Sequence, residues 1–99
     1  MAHVLLRYTL APDYLARRGT LREAHLAFAW AAAEAGTLLL GGAVGDPPES
    51  ALLLFDDAEA ARAFAEQDPY VTEGVVTHWE VVRWTTVVGA DAAIPIRPA

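Results

Sequence analysis

The sequence predicts an α+β domain in which an antiparallel four-stranded sheet carries two helices on one face. Three observations lead there. Strand-like and helix-like runs follow one another in the order β-α-β-β-α-β. The two middle strands are separated only by Gly45-Asp46-Pro47-Pro48-Glu49-Ser50, a turn-forming stretch that makes them a hairpin. At 99 residues the chain has room for one core, so all six elements must share it. This is the order of the ferredoxin-like split βαβ unit.

Each element has its own reason. From His3 to Leu10 the chain alternates, is rich in Val, Leu and Tyr, and stops at the breaker cluster Ala11-Pro12-Asp13. Thr20 offers an N-cap with Glu23 completing a capping box, and the Ala-rich run that follows ends before Gly36, as a helix does at a C-cap glycine. Residues 37–44 and 51–55 are apolar strands. Asp56 or Asp57 caps a second Ala-rich helix through Gln67, and Pro69 forces Asp68 out of helical backbone. Residues 75–88, dense in Val, Thr and Trp, form a long last strand. The expected division is a domain over residues 1–89 and an irregular tail over 90–99 that lies on the surface or on a neighbouring subunit.

Composition excludes several functions. Hydrophobic residues make up 55% and charged residues 20%, too apolar for disorder. Seven Arg, no Lys and thirteen acidic residues leave a net charge of -6, without the basic footprint that phosphate backbones require, so no nucleic-acid partner is expected. No apolar run approaches the roughly 20 residues of a membrane span, and no membrane partner is expected. Without cysteine there is no disulfide frame, thiolate zinc site or thiol nucleophile, and the first residues lack a signal-peptide pattern, so a cytoplasmic protein is the expectation.

The strands do not alternate cleanly: Leu38, Leu39 and Leu40 are all apolar, as are Leu52, Leu53, Leu54 and Phe55. Both sheet faces therefore demand burial, yet the helices cover one. A homodimer formed sheet against sheet is the expected remedy.

Two polar residues interrupt apolar faces. On the first helix Leu21, Ala24, His25, Phe28, Ala31, Ala32 and Ala35 fall on one side, so His25 lies in the packing stripe. On the second, Ala61, Phe64, Ala65 and Asp68 recur at helical spacing. The two helices run antiparallel, which brings the start of the first and the end of the second to one edge of the domain. A neighbouring carboxylate favours the imidazolium and fixes the ring's tautomer, whereas burial and a helix N-terminus pull the other way. A core histidine bonded to a carbonyl, and a carboxylate capping the Pro69-Tyr70 turn, are the plainer explanations of each residue taken alone.

The segments Leu21-Arg22-Glu23-Ala24-His25-Leu26, Gly36-Thr37-Leu38-Leu39-Leu40-Gly41-Gly42, Gln67-Asp68-Pro69-Tyr70-Val71 and Trp79-Glu80-Val81-Val82-Arg83-Trp84 resemble the YCII-related (YciI-like) family. The match runs from the first strand to about Gly89. Its most specific elements are Arg22 and His25 in an Arg-x-x-His spacing, Gly41-Gly42, and Asp68-Pro69-Tyr70. The resemblance implies a dimeric α/β barrel of ferredoxin-like subunits with an active site around a His and Asp pair, here His25 and Asp68. That family includes a dehalogenase that eliminates chloride from a lactone, although no residue ties this chain to that substrate.

Among other candidates, Arg7 is a charge inside an apolar strand, and Arg22 precedes His25 by one turn; either suits a substrate carboxylate, and Arg7 is preferred because the first strand is central. Tyr8 and Tyr70 offer hydroxyls to orient a ligand. His3, His25 and His78 share no ligand spacing, so no metal is expected, and Gly41-Gly42 is not a phosphate loop, so no cofactor is expected either. Trp30 falls opposite the apolar stripe of its helix and is read as a surface or oligomer contact. These readings converge on a small dimeric enzyme, lyase or hydrolase, whose His25, oriented by Asp68, serves as general base or acid on a small organic acid or lactone-like molecule. The rival is a non-catalytic metabolite-binding or accessory dimer using the same cleft.

Overall fold

The computed structural model describes residues 2–99. Its sheet has the order β2-β3-β1-β4, every pair antiparallel, built from β1 (His3–Leu10), β2 (Leu38–Val44), β3 (Ser50–Phe55) and β4 (Val76–Trp84). The main helices are α2 (Arg22–Glu34) and α3 (Ala58–Gln67), with single-turn helices α1 (Tyr14–Arg17) and α4 (Pro69–Thr72) before and after them. This is the expected ferredoxin-like α+β arrangement.

Strand parity divides the side chains. Val4, Leu6, Tyr8 and Leu10 of β1 face the helices together with Leu53 and Phe55 of β3, and all six are buried. From α3 the packing face Ala61, Phe64 and Ala65 settles on them, with the Phe64 ring 5.4 Å from Phe55 and 4.8 Å from Phe28 of α2. Asp57 caps α3 as expected, its carboxylate accepting from the Ala60 N–H at 2.9 Å.

By contrast, α2 buries no residue completely. Its inner positions Ala29, Ala32 and Ala33 are short and only partly buried against the core, and a cleft lies between this helix and β2–β3. The expected capping box does not form. Residues 14–20 are already coiled, and the chain enters α2 through Leu21 in near-helical backbone, where a side-chain cap needs an extended residue; the Thr20 hydroxyl donates to the Arg17 carbonyl instead. Gly36, at φ 90°, closes α2 as a C-cap glycine should.

The last strand is shorter than the sequence suggests. His3 pairs with Trp84, so beyond Trp84 β1 offers nothing to pair with. The tail then doubles back: Ile94 N–H donates to the Thr86 carbonyl at 3.0 Å and Ile96 N–H to Val87 at 2.9 Å. The opposite sheet face stays open, and there Leu40 is 71% exposed. No helix among the described residues is long and apolar enough to cross a membrane.

Candidate active site

Pro69 creates the site's centre. It holds Asp68 in extended backbone at φ -62° and ψ 125°, which ends α3, starts α4 and turns the carboxylate inward. Asp68 is fully buried. Burying a carboxylate costs several kcal/mol unless it is bonded, and here three donors meet it. Tyr70 N–H donates to Oδ1 at 3.0 Å, the Tyr8 hydroxyl to Oδ2 at 2.7 Å, and His25 Nδ1 lies 2.7 Å from Oδ1. Burial first, then the charge and hydrogen bond of Asp68, raise the Tyr8 hydroxyl far above its usual range, so it stays a donor.

An accepting carboxylate at Nδ1 requires the ring hydrogen there, which leaves the lone pair of the neutral ring on Nε2. Nε2 has no partner among the described residues and is not sealed from solvent. The ring's other restraint is Tyr70, stacked on it at 3.8 Å between centroids and 7° between planes. Tyr14 meets Tyr70 edge-on at 5.7 Å, and the Arg18 guanidinium lies 5.4 Å over the Tyr14 ring. Burial, with Tyr14 adding to it, raises the Tyr70 hydroxyl, while Arg22 and Arg18 oppose the rise.

His25 opens onto a cleft of about 410 Å³, within the range of small-molecule sites. One wall is α2 with Leu26, Ala29, Trp30 and Ala33; the other is the β2–β3 hairpin with Leu38, Gly41 and Leu53. The hairpin's loop around Asp46 is not part of the lining.

Of the residues singled out from sequence, His25, Asp68, Tyr8 and Tyr70 meet here and Arg22 lines the mouth. The explanation of Asp68 as a cap and the one pairing it with His25 both hold, since one oxygen serves Tyr70 N–H and Nδ1 together. Tyr8 was expected to orient a ligand, but its hydroxyl is committed to Asp68. Arg7 requires correction. Because Leu6 and Tyr8 face the helices, Arg7 points to the open sheet face and pairs at 2.6 Å with Glu80, its cross-strand neighbour. Trp30 is 65% exposed, as its place opposite the apolar stripe predicted, and it also lines the cleft. Arg18 and Tyr14 escaped sequence reasoning; the adjacent Arg17-Arg18 before Gly19 was the available signal, for Arg17 turns to Asp13 and the Glu73 carbonyl while Arg18 turns to the cleft.

Comparison with known proteins agrees with this architecture. The dehydrochlorinase TftG of Burkholderia phenoliruptrix, solved with 2,5-dihydroxybenzoquinone, superposes with a TM-score of 0.69 at 21% identity, over 85% of this chain and 94% of that one. Rv0793 of Mycobacterium tuberculosis gives 0.53 at 14% identity, over 91% and 98%. Protein YciI of Escherichia coli O6:H1 and of Shigella flexneri are each 35% identical over 80 residues, 70% of this chain and 82% of theirs. With the YCII-related domain matched across residues 1–85, the chain belongs to the YCII-related family.

Proposed function

We propose that this protein is a small acid/base enzyme in which His25 Nε2 removes a proton from a small organic acid or lactone-like substrate and Asp68 stabilises the imidazolium that forms. One observation carries the reading: Nδ1 is tied to a buried carboxylate at 2.7 Å while the opposite nitrogen is free beside a cleft. In an elimination, the proton passes from a substrate carbon to Nε2, the electron pair of that C–H bond forms the new double bond, and a leaving group departs with its bonding pair from the adjacent carbon. His25 then returns the proton to solvent or to the departing group. Activation of water for hydrolysis uses the same nitrogen in the same way. The fold shared with a dehydrochlorinase supports elimination as the first reaction to test.

The same reading includes a second copy of the chain packed on the open sheet face, where Leu40, Leu52 and Val44 are exposed. Function is tested by incubating small carboxylic acids and lactones with the protein in deuterated water and following deuterium incorporation and leaving-group release by NMR. Exchange that falls ~10²- to 10⁴-fold in His25→Gln is the expected result. Exchange indifferent to His25 contradicts it, and binding without any exchange favours the metabolite-binding alternative.

A further inference from the structure

We infer that the cleft selects an organic carboxylate with an apolar body, its charged end held between Arg18 and Arg22 and its body lying between α2 and Gly41 of β2. This names the substrate class for the site proposed above and rests on that reading.

Charge is the first argument. The chain has thirteen acidic residues against seven basic ones, yet the charged side chains lining the cleft besides His25 are Arg18 and Arg22, and no carboxylate lines it. Asp68 is sealed behind the imidazole. Neither arginine lies within 4.0 Å of a carboxylate among the described residues, whereas Arg7 and Arg17 both do. Arg18 is nonetheless held in place, over the Tyr14 ring. Both arginines line the same cleft as His25 and Tyr70, and the Tyr14 ring under Arg18 meets Tyr70 edge-on, so positive charge is gathered on the histidine's side of it. A planar fork of donors suits a planar two-oxygen anion, and positive charge beside the reacting carbon favours the negative charge that grows there as His25 takes the proton.

Shape is the second argument. Gly41 pairs with Leu53 and shares its helix-facing side. A Cβ at Gly41 would meet the Leu53 side chain at 3.5 Å and the Leu52 carbonyl at 4.0 Å, both ordinary contacts, so the floor is bare for want of a side chain, not crowded by a neighbour. Opposite it the wall is Ala29 and Ala33, flanked by Leu26 and Trp30. Short residues on both sides leave room for a ligand body, and the apolar lining favours an apolar one.

The test uses 4-fluorobenzoate and its uncharged counterpart 4-fluorobenzyl alcohol, observed by fluorine NMR. Wild-type protein should bind the benzoate ~10-fold or more tightly than the alcohol. Arg18→Gln and Arg22→Gln should each weaken the benzoate by ~10-fold, the loss of one charged hydrogen-bonding partner, and leave the alcohol unchanged. Gly41→Val, which the backbone accepts, should weaken both. Equal binding of the two probes, arginine variants that leave the benzoate unmoved, or displacement of the benzoate by inorganic phosphate more readily than by acetate would each overturn the inference. His25→Gln separates it from the catalytic reading. Benzoate selectivity that persists while proton exchange ignores His25 keeps the anion subsite and removes the base; exchange that depends on His25 without any arginine effect on benzoate removes the subsite alone.

Discussion

At the scale of single residues, Asp68 is the pivot, because one buried carboxylate orients a ring, caps a turn and accepts a phenol. Removing one donor is milder than removing the acceptor. Tyr8→Phe should cost about 1–3 kcal/mol in urea unfolding, whereas Asp68→Ala, which strands Tyr8 and the Tyr70 N–H, should cost more. Tyr8 and Tyr70 are both raised in the folded protein, so the folded state holds their protons more tightly than the unfolded chain. Their contribution is complete below the usual tyrosine value of about 10 and is lost as pH climbs above it. Stability should therefore fall on the alkaline side, and more gently in Tyr8→Phe, as denaturant melts across that range will show. His25 and Asp68 were legible in the sequence because each is polar where its helix wants carbon. Arg7 was misplaced because a charge in a strand says nothing of its face until the parity of Leu6 and Tyr8 is set against a helix layer. Tyr8 was recognised as important, but its partner is 60 positions away and no local pattern reveals it.

At the scale of elements, the two main helices show which sequence signals survive folding. The cap at Asp57 forms because a loop precedes it, and Asp57→Ala should lower stability by about 0.5–2 kcal/mol in thermal or urea melts. The capping box at Thr20 fails because α1 and the turn after it already coil the chain, and Thr20→Ala should cost measurably less than Asp57→Ala in the same assay. Such single turns carry too few residues for a periodic signal, so they were invisible. Breaker residues were better guides: Pro69 set the break at Asp68, and Gly36 closed α2. The end of β4 could not be read locally, since it depends on where β1 begins. Alanine in α2 was read as core-facing, and its consequence, a cleft lined by short residues between this helix and β2–β3, became visible only once both walls were in place.

At the scale of the whole molecule, element order and hairpin fixed the architecture in advance, whereas the convergence of Arg18, Arg22 and His25 on one cleft needed the packed layers. The same apolar excess that pointed to two buried faces leaves Leu40, Leu52 and Val44 exposed on the open one. If a second copy covers it, sedimentation velocity should find a dimer, and Leu52→Asp should shift it to monomer while leaving the histidine site's spectrum intact. What gives the domain its proposed chemistry is the hydrogen on His25 Nδ1, which only Asp68 holds there. The direct measurement is nitrogen-15 NMR of the three imidazole rings in the wild-type protein and in Asp68→Asn. The account predicts that neutral His25 carries its hydrogen on Nδ1 in the wild type, and that Asp68→Asn changes the His25 ring nitrogens while His3 and His78 stay as they were. A His25 ring protonated at Nε2, or one indifferent to the loss of the carboxylate, would contradict it.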